Sequence, residues 1–522
     1  MNRSIAYLFV ALASTSTANA MDLVGVYQDA LKNDPTLRQA DANRLASREA
    51  RPQAWSALLP QISGTLSRTD DRQNGSEAEG AIGQGSGTPT GPTQPINGST
   101  SSVPFAINTV SKGWGLNLRE NLFSWSNWMS VKQAGKEVAQ AEATYQAAQQ
   151  NLILRVAQAY FNVLSALDGL DANQASLEAI SRQLDQANKR FEVGLIAITD
   201  VQEAKAARDT AAAAVIAAKR TLATAGDQLS EITGQKYDSL SKPGDAMPLN
   251  TPQPADEDRW VTVSLDQNVS LLSNRLQADI ARENVRIAIG GHLPTLDLVA
   301  SKSRTQVDGD ENVSGNPFSL SNTINDRQYT VQVTVPIFSG GFTQSKVRQA
   351  QYQWIAAKEG VVQSSRATER LARDAYLGVI SGIARVQALR QALESSQTAL
   401  KATEAGYEVG TRTAVDVLNS RRTLVQAQTD YAVSRYDYIV SVIQLRLAAG
   451  NLSANDVTEI NKWLAVSAPT VPAQPIQAPD QAQVPEQQQP GAAAQPAPAP
   501  ITPQPPPEPP GKQLPQTPQP RR

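Results

Sequence analysis

Residues 191–201 read FEVGLIAITDV and residues 407–417 read YEVGTRTAVDV, and the fold follows from that echo. The aromatic, the glycine and the aspartate of the two stretches lie 216 residues apart, so one structural unit occurs twice. Each stretch is followed by a proline-free helical run, ending at Gly234 in one copy and at Gly450 in the other. Gly194 and Gly410 fall where the preceding helix must stop, as residues that take a positive φ. Thr199 with Gln202, three positions on, predicts a capping box for the next helix, and Thr413 with Asp416 a looser one. The chain is therefore expected to double back twice, in two helical hairpins.

The runs after the motifs show how they pack. Val201, Val215, Leu222 and Leu229 keep a seven-residue spacing, interrupted by Arg208, and Val417, Leu424, Tyr431, Tyr438 and Leu445 repeat it. A second stripe is small: Ala204, Ala211, Ala218 and Ala225, matched by Ser420, Ala427, Ser434, Ser441 and Ala448. A heptad seam faces one neighbour and a small-residue stripe lets another approach closely, so these are coiled-coil helices with partners on two sides. A solitary coiled coil fits this stretch but leaves the strands below unexplained.

Composition narrows the function. There is no cysteine and one histidine, His292, read as structural beside Leu293-Pro294, so thiolate and histidine metal or acid-base centres are not expected. No phosphate-binding loop, dinucleotide fingerprint, nucleophile elbow or zinc motif stands in the context it would need, which argues against an enzyme and against any cofactor. Lys plus Arg number 47 against 49 for Asp plus Glu, a balance with no basic footprint for nucleic acid. Residues 1–20 have the layout of a cleaved secretory signal: Arg3, an apolar stretch over 5–13, and Ala18-Asn19-Ala20. No later segment is long and apolar enough for a membrane helix, so any crossing must use strands.

In order, residues 22–58 read as helix, with a break at Pro35, and 260–289 are their duplicate. Four short segments then alternate with period two, around Ile62–Leu66, Trp114–Leu118, Leu296–Ala300 and Tyr329–Val335, joined in pairs by long polar connections over 69–111 and 304–327. A small water-exposed sheet packed on helices is the simpler reading of four strands. Export, long loops on one side, and aromatics at the strand ends (Trp114, Phe123, Trp125, Trp128, Phe338 and Phe342) favour a membrane barrel. Four strands cannot close one, since the smallest have about eight, so several copies must contribute. Residues 125–189 and 342–406 each predict a helix near ~100 Å long if unbroken, at about 1.5 Å per residue. Their glycines, Gly135, Gly169, Gly360, Gly378 and Gly382, mark either breaks or close helix contacts.

The domain reading is a signal (1–20), a first repeat (21–234), a connector (235–258), a second repeat (259–450), a C-terminal segment (451–466) with a short helix near 457–464, and a disordered proline-rich tail (467–522). The fold class is mainly α with a membrane β-barrel portion.

This order of elements, with FEVGLIAITDV and GYEVGTRTAVDVL as its most specific matches, resembles the TolC family of trimeric outer-membrane channel-tunnels over residues 21–463. The resemblance implies a homotrimer in outer-membrane lipid, with a twelve-stranded barrel and a helical tunnel extending into the periplasm. It implies an exit duct for tripartite drug efflux and type I secretion, engaged by a periplasmic adaptor and an inner-membrane transporter. The family's gate residues carry over to Tyr407 and Arg412, linking to Thr199 and Asp200 of the first copy or of the adjacent protomer. Asp416 would form an acidic ring, and Asn419 stands where a second aspartate is frequent, which implies weaker block by multivalent cations. The rival reading is a secreted coiled-coil structural or adhesin protein without channel activity.

Overall fold

The computed structural model describes residues 20–78, 102–244, 247–313 and 316–470. All of the expected signal but Ala20, and nearly all of the proline-rich tail, lie outside them. The first repeat comprises α1 (Leu23–Asn33), α2 (Pro35–Arg48), α3 (Ala50–Ser56), β1 (Gln61–Ala78), β2 (Ser102–Phe123), α4 (Trp125–Glu192) and α5 (Ile198–Thr233). After β3 (Ser239–Pro243) the second comprises α6 (Glu257–Gln267), α7 (Val269–Ile289), a 3-10 turn at Gly290–His292, β4 (Thr295–Val313), β5 (Asn316–Thr334), α8 (Phe342–Glu408) and α9 (Ala414–Ala449). α10 (Ala454–Asn461) and β6 (Leu464–Pro469) follow.

The two long helices are unbroken, α4 with 68 residues and α8 with 67. Their glycines are therefore not breaks. Of Gly135, Gly169, Gly360, Gly378 and Gly382, only Gly382 has a neighbour within 4 Å of where a Cβ would sit, Tyr438 at 3.7 Å. The heptad seam is buried as expected at Val201, Val215, Leu222 and Leu229 and at Val417, Tyr438 and Leu445, while Leu424 and Tyr431 are half-buried and Arg208 turns to solvent.

Each short helix meets the end of a long run from its own repeat. Asn33 Nδ2 donates to the Thr233 carbonyl at 2.9 Å, and Asn268 Nδ2 donates to the Ala448 carbonyl at 3.1 Å. These side chains satisfy carbonyls that the ends of α5 and α9 leave without a helical partner. The residues that start the abutting helices, Asp34 and Asn268, also accept from the Leu37 and Leu271 amides, so both joints are capped from each side.

A core at mid-height ties the repeats together. Phe161 stacks on Tyr436 at 5.7 Å and meets Tyr160 edge-on at 5.4 Å. Tyr160 Oη donates to the Ser241 carbonyl at 2.6 Å, fastening β3 to α4, and Tyr436 Oη donates to Asp168, which also pairs with Lys242. Sequence reading missed β3, inside the expected connector, and its partner β6, which ends two residues beyond the expected start of the tail. Each is only five or six residues long and is stabilised by distant pairing.

The four remaining strands form one antiparallel sheet in the order β1-β2-β4-β5. The expectation of short strands is corrected here: the strands run 18 to 22 residues and take up nearly all of the connection expected over 304–327 and both ends of the one expected over 69–111, whose middle, 79–101, lies outside the described residues. The missed halves are polar on most alternate positions, so hydrophobic periodicity, the signal that marked the other halves, is absent from them. The register places Ile62, Leu118, Ala300 and Tyr329 in one row, and Leu298 with Val331 and Leu296 with Val333 in the rows below. The opposite face carries Ser63, Asn117, Ser301 and Gln328 at the same level.

Gly450 takes φ +78°, and a Cβ there would lie 2.4 Å from the Gln267 carbonyl oxygen and 2.7 Å from Asn268 Cα. Gly410 has the same φ but nothing within 4 Å. Gly450→Ala is thus expected to lower thermal stability by more than Gly410→Ala, whose cost is about 1–2 kcal/mol from backbone strain alone. Equal shifts in melting temperature would show that the helix joint does not depend on that close approach.

Candidate functional site

The helix tips are built by the repeated motif. The Leu195 amide donates to the Arg190 carbonyl and the Gly194 amide to the Phe191 carbonyl, both at 2.9 Å, while Thr411 and Gly410 donate in the same pattern to Gly406 and Tyr407 at 2.8 and 3.2 Å. This double bond across the helix end requires a left-handed residue, supplied by Gly194 at φ +76° and by Gly410.

The two tips differ at the start of the returning helix. The capping box expected at Thr199 and Gln202 does not form: α5 begins two residues earlier, after Ala197, which offers no side-chain cap. The second tip carries the full box instead of a loose one. The Asp416 amide donates to Thr413 Oγ1 at 3.3 Å, and Asp416 Oδ2 accepts from the Thr413 amide at 2.9 Å and its hydroxyl at 3.0 Å. The shorter carboxylate of aspartate reaches back as glutamate would in the commoner form. Those bonds, the amide's first, hold the Asp416 carboxyl below the ordinary aspartate range; slight desolvation opposes them and Arg412 adds to them.

Tyr407 lies across from the other hairpin, with the Arg190 guanidinium 5.3 Å from its ring centre. Arg412 is exposed, its backbone amide donating to the Gly406 carbonyl at 3.2 Å. Thr199 is exposed, Asp200 half-buried and Asn419 exposed. Among the described residues of one protomer, no ion pair or hydrogen bond joins Arg412 or Tyr407 to Thr199 or Asp200.

Three side chains near the tips were not read from the sequence. Arg190 directly precedes the first motif. Glu404 pairs with Arg421 across the second hairpin, beside a bond from Ser420 Oγ to Thr403 Oγ1 at 3.2 Å. The signal for the pair was opposite charge three residues before Tyr407 and four after Val417, visible once the two helices are laid antiparallel. Exposed apolar residues, Val193, Leu195 and Val409, crown the same tips.

At the other end the sheet leaves its apolar face uncovered, with Leu66 at 90% and Tyr329 at 80% exposure. Below it Trp55 and Trp128 meet edge-on at 6.0 Å, near the exposed Trp125, Phe338 and Phe342. No described helix is long and apolar enough to cross a membrane.

A family model described as outer membrane efflux protein matches residues 26–235 and 260–451, the two repeats with the connector between them left out. Outer membrane protein TolC of Vibrio cholerae is 36% identical over 465 residues, covering 88% of this chain and 98% of that protein. Alkaline protease secretion protein AprF of Pseudomonas aeruginosa is 26% identical over 467 residues, covering 88% and 90%. Among solved structures, the Campylobacter jejuni CmeC outer membrane channel superposes with a TM-score of 0.64 at 18% identity, over 89% of this chain and 98% of that one, a likeness of fold.

Asp416 contributes to the tip when ionised. With its carboxyl held below the ordinary range, that contribution is complete above the unfolded value and is lost as pH falls through the lower folded one. Relative to the intrinsic rate at each pH, amide exchange in the first turn of α9 should accordingly stay constant from neutral pH to about 4 and accelerate below that. Thr413→Ala should accelerate it roughly fivefold at neutral pH. Unaltered exchange in that variant would remove the box from the tip's stability.

Proposed function

The chain belongs to the outer membrane efflux protein family, and from that premise we propose how its geometry makes a duct. It is an outer-membrane channel protein and not an enzyme. Three copies close the wall: each supplies the four-stranded sheet, giving a twelve-stranded barrel, and the paired long helices, giving a tunnel in the periplasm.

The sheet's two unpaired edges, β1 and β5, carry this reading. Hydrocarbon offers no partner to a strand edge, so a sheet with an apolar face toward lipid must close on itself or on copies. A secreted coiled-coil protein would have no use for an uncovered face of that kind.

Substrates leave through the tunnel without entering the periplasm. An inner-membrane transporter energises the transfer, and a periplasmic adaptor joins it to the helix tips. Drug efflux follows from the family, and type I protein secretion from the likeness to AprF.

The tips form the gate. Tyr407 and Arg412 hold the second hairpin against the first repeat, with Thr199 and Asp200 of the adjacent protomer as partners and Arg190 as the contact within a protomer. This reading draws support from the duplication: Tyr407 and Arg412 occupy positions held by Phe191 and Ile196 in the first copy, where no polar group exists. Asp416 from three protomers makes the acidic constriction, its Oδ2 held by Thr413.

Planar-bilayer recordings test the gate. Tyr407→Phe combined with Arg412→Ser should raise single-channel conductance severalfold, and unchanged conductance would take both residues out of the latch. In the same recordings Asn419→Asp should increase block by multivalent cations; a variant no more sensitive than the parent would remove this level from the cation path.

A further inference from the structure

The apolar face of the sheet has a sharp upper limit. On β5 and just beyond it, Tyr329, Val331, Val333, Val335 and Ile337 alternate over nine residues, all exposed. That is the length of a strand spanning a bilayer, about 9–11 residues. The next residue of the series is Arg327, and beyond it the same face continues with Asn325, Thr323 and Ser321, while Phe318, Leu320 and Ile324 lie on the other face.

Cations gather at this limit. The register sets Lys302 directly opposite Arg327, and two rows farther from the helices it sets Arg68 opposite Lys112. Arg304 and Trp114 occupy the row between them, paired with each other. All five basic side chains are exposed on the lipid-facing side. Like charges directly opposite in a sheet are destabilising unless something neutralises them.

The protein neutralises only part of this group. Arg68 pairs with Asp70 at 3.6 Å, and Lys112 feels the carboxylate of Asp308, which is itself engaged by Ser321 and Gln306. Among the described residues, no carboxylate pairs with Lys302, Arg304 or Arg327. Lys302 instead reaches over the Trp114 ring, 5.9 Å from its centre. A shallow depression lined by Leu66, Arg68, Lys112, Trp114, Arg304 and Gln306 lies beside them, apolar toward the bilayer and cationic away from it.

We propose that this rim binds the phosphate-bearing headgroup of an outer-leaflet glycolipid. One phosphate bridges Lys302, Arg304 and Arg327, and the acyl chains lie down the Tyr329–Val333 face. The rim is the end of the sheet remote from the helices, and with the helices in the periplasm it meets the outer leaflet. Guanidinium and ammonium groups at a bilayer interface gain from anionic headgroups. The inference rests on the reading of the sheet as part of a membrane barrel.

The test uses the full chain in detergent, with binding to lipid A measured for the bisphosphorylated, monophosphorylated and dephosphorylated forms, and with inorganic phosphate alone. Retention should fall with each phosphate removed. Lys302→Gln with Arg327→Gln should weaken binding of bisphosphorylated lipid A by roughly tenfold or more, and Arg119→Gln, on the opposite face, should not. Lipid A should raise the melting temperature of the parent and leave that of the double variant unmoved, which keeps the result readable if the variant assembles poorly. Equal binding of dephosphorylated lipid, or displacement by millimolar inorganic phosphate, would overturn the proposal. Loss of conductance and assembly in the parent itself would instead sink the barrel reading.

Discussion

A β-strand edge exposes a row of amides and carbonyls, and in hydrocarbon nothing satisfies them. Besides the small β3–β6 pair, the described residues form a sheet four strands wide, with an apolar face open to its surroundings and edges at β1 and β5. The rest of the molecule depends on how that problem is solved, because a sheet that cannot close alone obliges the helices below it to share a common axis with their copies. The duplication serves the same end: two similar repeats in each of three chains approximate six-fold symmetry, so one hairpin design makes the whole wall.

The helices solve a second problem, that of length. An unbroken 68-residue helix has no single neighbour to match it. The structure covers it with α5 along one part and with the short α2 and α7 along another. The butt joints between short and long elements are sealed by asparagine side chains donating to orphan carbonyls. At Gly450 the seal is tight enough that a methyl group would strike the abutting backbone. The joints lie near the belt where β3, β6 and the Tyr160, Phe161 and Tyr436 rings bind the repeats together, while toward the tips burial shrinks to small separate clusters, Ala187 with Val201 and Ala204 and Ile180 with Ala207 and Leu418.

Much of this was legible in the sequence. The repeat, the hairpin tips, the heptad seam and the long helices were all read correctly, because each rests on a local pattern repeated many times. Strand lengths were not: residues such as Asp70, Asn108, Asp310 and Ser319 carry no hydrophobic alternation, and only pairing across the sheet makes them strand. The same holds for β3. The capping boxes were ranked in the wrong order, since Thr199 looked the better cap by residue type while the backbone starts α5 at Ile198. At the tips the motif residues were identifiable, but Glu404 and Arg421 meet only once α8 and α9 fold back on each other, and Arg190 acquires its contact only from the hairpin of the other repeat.

The central claim is that one chain is a fraction of a wall. Native mass spectrometry of the protein extracted from the outer membrane measures this most directly. The account predicts a single dominant species of three chains that conducts ions when returned to a bilayer. A population of stable single chains, with their sheet edges unpaired, would contradict it.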